Sequence, residues 1–160
     1  MKIKKAIEKA GQEDAIRDIL ENDGFFCSGF ITLSEKDEIE KWNLSFYCPE
    51  DNKITPAVVT ETGVSVGEKD EPLHKEVPNP DENKIKVDAK EALEKAKKEF
   101  GKFKMPLAKI LVSFQKKGTE FWSISFITKL GSIINIKIDP EDGKIIEKEH
   151  VNLLQNYKAK

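Results

Sequence analysis

Trp42-Asn43-Leu44-Ser45-Phe46 and Trp122-Ser123-Ile124-Ser125-Phe126 lie 80 residues apart and share one pattern, an apolar side chain at every second place with Ser or Asn between. Alternation of this kind marks a strand with one buried face. Its recurrence says that the chain holds two copies of one unit. Continued without a gap at the same offset, Ile54 falls on Ile134, Val58 on Ile138, Glu61 on Glu141 and Gly63 on Gly143. Upstream, Ile16 falls on Ala96, Leu20 on Phe100 and Phe30 on Ile110. Residue types at helix, strand and turn positions thus match over half of the chain.

In the second copy Asp88, with Glu91 three residues on, has the shape of a helix-capping box, and Ala89, Ala92, Leu93, Ala96 and Phe100 follow at helical spacing before Gly101. Leu107 to Phe114, Phe121 to Ile127 and Ser132 to Ile138 read as strands separated by Lys117-Gly118 and Leu130-Gly131, and a fourth run, Lys144 to Lys148, follows Asp142-Gly143. The first copy repeats this, with helical patterns at Ile3 to Ala10 and Ala15 to Leu20. Its strands fall at Phe25 to Leu33, Lys41 to Tyr47, Ile54 to Thr60 and Val64 to Gly67, and Gly11 is placed to break its helix.

Between the copies, the stretch from Gly67 to Lys86 is rich in charge and holds Pro72, Pro78 and Pro80, which bars it from a helix interior or a central strand. The expected organisation is a first module over residues 1–68, a linker over 69–86, a second module over 87–150 and a tail over 151–160. The expected fold class is α+β, two tandem modules, each an N-terminal helix packed on a three- to four-stranded antiparallel sheet.

If Ile110 and Val112 face the helix together with Trp122, Ile124 and Phe126, paired positions have the same parity, which a three-residue loop with Gly118 in the left-handed conformation supplies. The same register in the first copy pairs Thr32 with Trp42 and Phe30 with Leu44, putting Cys48 on the core face and Cys27 on the other, where no disulfide joins them. A two-residue loop would instead set the two cysteines opposite each other.

Helix, hairpin and a third strand running into Ile136-Lys137-Ile138-Asp139-Pro140-Glu141-Asp142-Gly143-Lys144-Ile145 resemble the PepSY domain family. Phe121 to Phe126 and Asp139 to Ile145 carry the resemblance, and Ala92-Leu93-Glu94-Lys95-Ala96 suits that family's helix. It covers roughly residues 87 to 148 well and 3 to 68 weakly. The first copy departs by having Val59 where Asp139 stands, although Thr62-Gly63 fits the family turn. The resemblance implies a non-catalytic binding or regulatory module, found in that family as a propeptide element of secreted metallopeptidases and in stand-alone secreted or membrane-anchored proteins.

The charges nearly cancel, 27 Lys+Arg against 29 Asp+Glu for a formal net charge of −2, so there is no broad field to gather a nucleic acid. No run approaches the ~18 apolar residues of a membrane helix, and MKIKKAIEKA has no apolar core of a signal peptide. The compartment stays open: extracytoplasmic by family resemblance if a leader or anchor has been removed, otherwise cytoplasmic. His74 and His150 stand apart from Cys27 and Cys48, so neither a zinc clamp nor a paired nucleophile is expected.

Asp139, Glu141 and Asp142 before Gly143 read as turn chemistry, lacking the distal Glu of a calcium loop. Trp42, Trp122, Phe46 and Phe126 read as core rather than stacking platforms, because they alternate with polar residues in both copies. Lys95, Lys97, Lys98, Lys102 and Lys104 read as a solvated helix face with cations near its C-terminus, diluted by Glu94 and Glu99. No His-Glu-x-x-His, phosphate loop or Gly-x-Ser-x-Gly appears. The expectation is therefore a protein that is not an enzyme, with no catalytic, metal or cofactor-binding residue, binding a protein or peptide through edge strands or a groove between modules. By resemblance, the partner would be a peptidase that it regulates or inhibits. The alternative is a structural module of an envelope complex or a self-associating scaffold, and the oligomeric state is left undetermined.

Overall fold

The periodic segments fold as their spacing predicts. In the computed structural model, which describes residues 1–153, helices α1 (Ile3–Ala10) and α2 (Asp14–Glu21) precede strands β1 (Phe25–Leu33), β2 (Lys41–Cys48), β3 (Lys53–Thr60) and β4 (Val64–Val66). After a 3-10 turn at Glu82–Lys84 come helix α3 (Ala89–Gly101) and strands β5 (Leu107–Lys117), β6 (Thr119–Thr128), β7 (Ser132–Ile138) and β8 (Ile145–Asn152). α1 buries Ile3, Ala6, Ile7 and Ala10, and α3 buries Ala89, Ala92, Leu93 and Ala96 at the same intervals, one stripe per helix. The first helix breaks at Gly11 and restarts at Asp14, whereas α3 runs on to Gly101. The Asp88 carboxylate accepts the Glu91 N–H at 3.0 Å and caps α3.

The expectation of two modules with separate sheets is overturned. All eight strands form one antiparallel sheet in the order β4-β3-β2-β1-β5-β6-β7-β8. The reason lies in β1 and β5. In separate modules each would be an edge strand, nine or eleven residues long, with one row of N–H and C=O groups unpaired. Paired from Gly29–Phe114 to Leu33–Ile110, they satisfy those rows and bring Ile31 and Val112, 2% and 0% exposed, into one core. α1 and α2 pack on the first copy's strands and α3 on β6 and β7, covering one sheet face.

The copies are related by a pseudo-two-fold axis through this seam, but at several offsets rather than a single gapless one. β2 and β6 keep the offset of 80. Val59 lies opposite Trp42 as Ile138 lies opposite Trp122, so β3 and β7 differ by 79 (59 to 138), and Val59, not Val58, is the equivalent of Ile138. Gly29 lies opposite Leu44 as Val112 lies opposite Ile124, so β1 and β5 differ by 83 (29 to 112). Phe30 then faces its own equivalent, Ser113, across the seam. The indole N–H of Trp42 donates to the Met1 carbonyl at 3.0 Å and that of Trp122 to the Val87 carbonyl at 2.9 Å, each two residues before a helix. α1, offset by 86 (Met1 to Val87), is therefore the counterpart of α3, and the alignment of Ile16 and Leu20 with Ala96 and Phe100 does not hold.

The expected hairpin register is found in the second copy, where Ile110, Val112 and Phe114 face Phe126, Ile124 and Trp122 and Gly118 has φ of +76°. In the first copy it is shifted by one, with Phe30 opposite Asn43 and Gly29 opposite Leu44, and a bulge at Cys27 shifts it by one more, to Phe26 opposite Phe46. The linker residues follow the sheet. Ile54 and Asp70 exchange two backbone hydrogen bonds of 2.8 Å, and the Lys86 and Val87 N–H groups donate to the Pro140 carbonyl. Of the expected tail, Val151 and Asn152 belong to β8, and residues 154–160 lie outside those described.

Candidate functional site

The two ends of the sheet differ. At one end β4 has three residues, and the chain leaving it stays alongside β3 through the Gly67 N–H to Pro56 carbonyl bond and the Ile54–Asp70 bridge. Ion pairs of Lys69 with Asp51 (2.8 Å) and of Lys53 with Glu71 hold it there. At the other end β8 has eight residues, and among the described residues no strand pairs with its outer side. Its inner side is pinned to β7 from Ser132–Asn152 to Ile138–Ile145.

The side chains of β8 divide by face. Lys148 and His150 lie opposite Ile136 and Ile134, on the helix-covered side. Lys148 reaches Glu99 of α3 at 2.7 Å, and the His150 ring meets Phe103 at 5.9 Å between centroids. Glu99 also pairs with Lys102 at 3.0 Å, and the ammonium groups of Lys148 and Lys102 hold its carboxyl below the usual range. Glu147 and Glu149 lie opposite Lys137 and Asn135 on the uncovered face, with Lys137 3.5 Å from Glu147. Charge on both faces of an edge strand discourages indiscriminate pairing while leaving its backbone donors and acceptors available.

The uncovered face is polar at its centre. Val58, Asn43, Phe30, Ser113, Ser123, Lys137 and Glu147 form one row across it. The Asn135 amide donates to the Ser123 and Ser125 hydroxyls at 2.9 and 2.8 Å, and the Gln115 amide to the Ser113 hydroxyl at 2.8 Å. Phe30, 45% exposed, and Val58, 36% exposed, are the exposed large apolar side chains of this row. The β1–β5 ladder closes the seam where a groove between modules was expected. A depression of about 760 Å³ at the β1–β2 loop is lined by Asp37, Glu38, Glu40 and Glu61 beside Lys36 and Lys41, and is open to water.

The residues singled out from the sequence do not converge. Trp42, Trp122, Phe46 and Phe126 are fully buried, the two indoles 6.0 Å apart across the pseudo-axis and Phe126 stacked on Phe100 at 4.5 Å. The Asp139 and Asp142 carboxylates accept the Glu141 and Lys144 N–H groups at 2.8 Å within their turn, with Gly143 at φ of +76°. Lys97 donates to the Glu35 carbonyl, Lys102 pairs with Glu99, and Lys95, Lys98 and Lys104 are exposed. Both cysteines are free and buried. Burial pushes the Cys27 thiol up to about 11, and its Sγ lies 3.3 Å from the Ser45 carbonyl. Among the described residues no three His, Cys, Asp or Glu side chains gather as a metal would need, and no helix is long and apolar enough to cross a membrane.

One residue went unnoticed in the sequence. Glu120, its side chain 1% exposed, lies between Lys84 at 3.4 Å and Lys116 at 3.7 Å, tying the β5–β6 hairpin to the 3-10 turn. Nothing in the local pattern separates it from the other glutamates, since its burial comes from a segment 36 residues upstream (84 to 120).

No family model matches the chain, and no curated protein matches it in sequence. Among solved structures it is similar to a crystal structure described as a "putative lipoprotein" from Clostridium difficile 630, with a TM-score of 0.63 and 15% identity, over 94% of this chain and 93% of that one. At this identity the likeness is one of fold, and it runs through both copies and the seam between them.

Proposed function

We propose that the protein is a non-catalytic binding module that takes up an extended segment of a protein or peptide along the outer side of β8. The observation that carries this reading is the asymmetry of the sheet: one end is a strand of three residues, and the other is a strand of eight along whose outer side no described strand pairs. Strand addition draws its affinity from backbone hydrogen bonds, so it needs no conspicuous side-chain cluster. The bonds of β8 to β7 and α3 support the same reading, because an edge already held in place loses little entropy when a partner docks. The resemblance to PepSY domains makes a peptidase, regulated or inhibited by the bound chain, the first protein partner to test.

The direct test is selection of binders from a random peptide library, followed by amide hydrogen exchange of the full chain with each selected peptide. Slowed exchange centred on β8 is the expected result. Ligands that protect another segment, or a library that yields no binder, would refute the assignment.

A further inference from the structure

We infer that the segment accepted at β8 belongs to a different protein and carries basic side chains at alternate positions, set opposite Glu147 and Glu149. This rests on the strand-addition reading and names the chemistry of the partner. Two copies of this chain joined by antiparallel β8 strands would be related by a two-fold axis perpendicular to the sheet, which keeps each face on its own side. Residues directly opposite then have the same parity. Beyond the bulge at Ile146, the two most central registers are those centred on Lys148 or on Glu149. The first sets Glu147 against Glu149 at two places, and the second sets Glu149 against itself. A parallel pair fares no better: its in-plane axis makes equal numbers level but on opposite faces, out of phase with the pleat. β8 is thus built against its own copy, since like charges directly opposite are destabilising.

The same geometry says what fits. Lys148 on the helix side is already neutralised by Glu99 at 2.7 Å, so that side discriminates weakly. On the uncovered side, Glu147 has a single ion-pair partner among the described residues, the half-buried Lys137 at 3.5 Å, and Glu149 has none. Glu147 and Glu149 are two residues apart in one strand, so their side chains stand on the same face about 7 Å apart along it. An incoming strand with Lys or Arg at every second position places both cations opposite both carboxylates.

The test uses the full chain and three labelled, end-blocked nine-residue peptides. One alternates Lys with Val and Thr, one has Glu in place of Lys, and one has the composition of the first with its Lys residues in a block. Fluorescence anisotropy is expected to show the alternating Lys peptide bound about tenfold or more tighter than the Glu peptide, ~1.4 kcal/mol or above from two opposed pairs. The double variant Glu147→Lys/Glu149→Lys, changed at two exposed positions, is expected to reverse the order. Equal binding of the Lys and Glu peptides with β8 amides protected would overturn the charge assignment and keep strand addition. Equal binding of the alternating and block peptides would overturn the alternation. Failure of all three at millimolar concentration would overturn both readings, and a stable dimer that exposes fewer β8 amides would overturn the exclusion of a second copy.

Discussion

Replacing Ile31 by Ala tests the continuity of the sheet. Ile31 stands in β1 opposite Val112 of β5 and is 2% exposed, so its side chain belongs to both halves of the core. The change removes three carbons and leaves a cavity between strands that the ladder keeps from closing; Ile→Ala at such a site costs 2 to 5 kcal/mol, and about 3 is expected here. With a urea dependence of about 2 kcal/mol per molar, the midpoint should fall by about 1.5 M. Labelling with 5-fluorotryptophan gives two fluorine resonances, Trp42 reporting the first copy and Trp122 the second. If the sheet is one cooperative unit, both resonances lose their native intensity at the same lowered midpoint, together with the far-ultraviolet dichroism. A Trp122 signal that keeps the parental midpoint while Trp42 melts early would refute the reasoning, because it would mean that the halves fold independently.

The pseudo-symmetry predicts that Trp42→Phe and Trp122→Phe cost similar amounts, about 2 to 3 kcal/mol each, since each removes an indole bond to a pre-helix carbonyl (3.0 and 2.9 Å) and opens a cavity; thermal unfolding of both variants checks this, and a silent substitution at either site would break the equivalence. Cys27 predicts a loss of stability in base. Its thiol is raised from 9.0 to about 11 in the folded chain, so its contribution is intact below about pH 9 and is lost as the pH climbs through 11, by about 2 to 3 kcal/mol. Urea midpoints of Cys27→Ala measured over this range should fall less steeply than those of the parent, and parallel slopes would refute the assignment.

Local structure was legible because side-chain periodicity is written in the sequence. The alternation of Trp42 to Phe46 and the stripe of Ala89, Ala92, Leu93 and Ala96 specify a strand and a helix whatever surrounds them. What joins the copies is a backbone ladder, and a ladder leaves no mark on side chains: Phe25 to Leu33 reads alike as an outer strand or an inner one. The gapless offset of 80 was correct for β2 and β6 and failed elsewhere, because the β1–β2 and β2–β3 connections are longer than their counterparts, and the break at Gly11 and the bulge at Cys27 lengthen the chain ahead of them, all without disturbing either pattern. At the candidate site, an edge strand was foreseen but not which one. Lys144 to Lys148 reads as a short run after a turn, and only the pairing of β7 with β8 as far as Asn152 makes it the long edge.

Duplication and asymmetry play different parts in this molecule. Joining two copies through β1 and β5 removes two inner edges and buries Trp42 and Trp122 against each other at 6.0 Å, so the symmetric part of the structure serves stability. Perfect symmetry would also leave two equal outer edges, and an extended chain could add to either. The departures from symmetry make the two edges unequal. β4 is cut to three residues and its continuation lies along β3, whereas its counterpart β8 is lengthened to eight and tied by Lys148 to α3 and by His150 to Phe103 just after it. β8 is also the edge whose charges at Glu147 and Glu149 oppose pairing with a second copy in either central register. A sheet that grew only by duplication would polymerise through such ends; here one end is cut short and the other carries charge on both faces, and under the proposed strand addition this favours a strand of a different kind at β8.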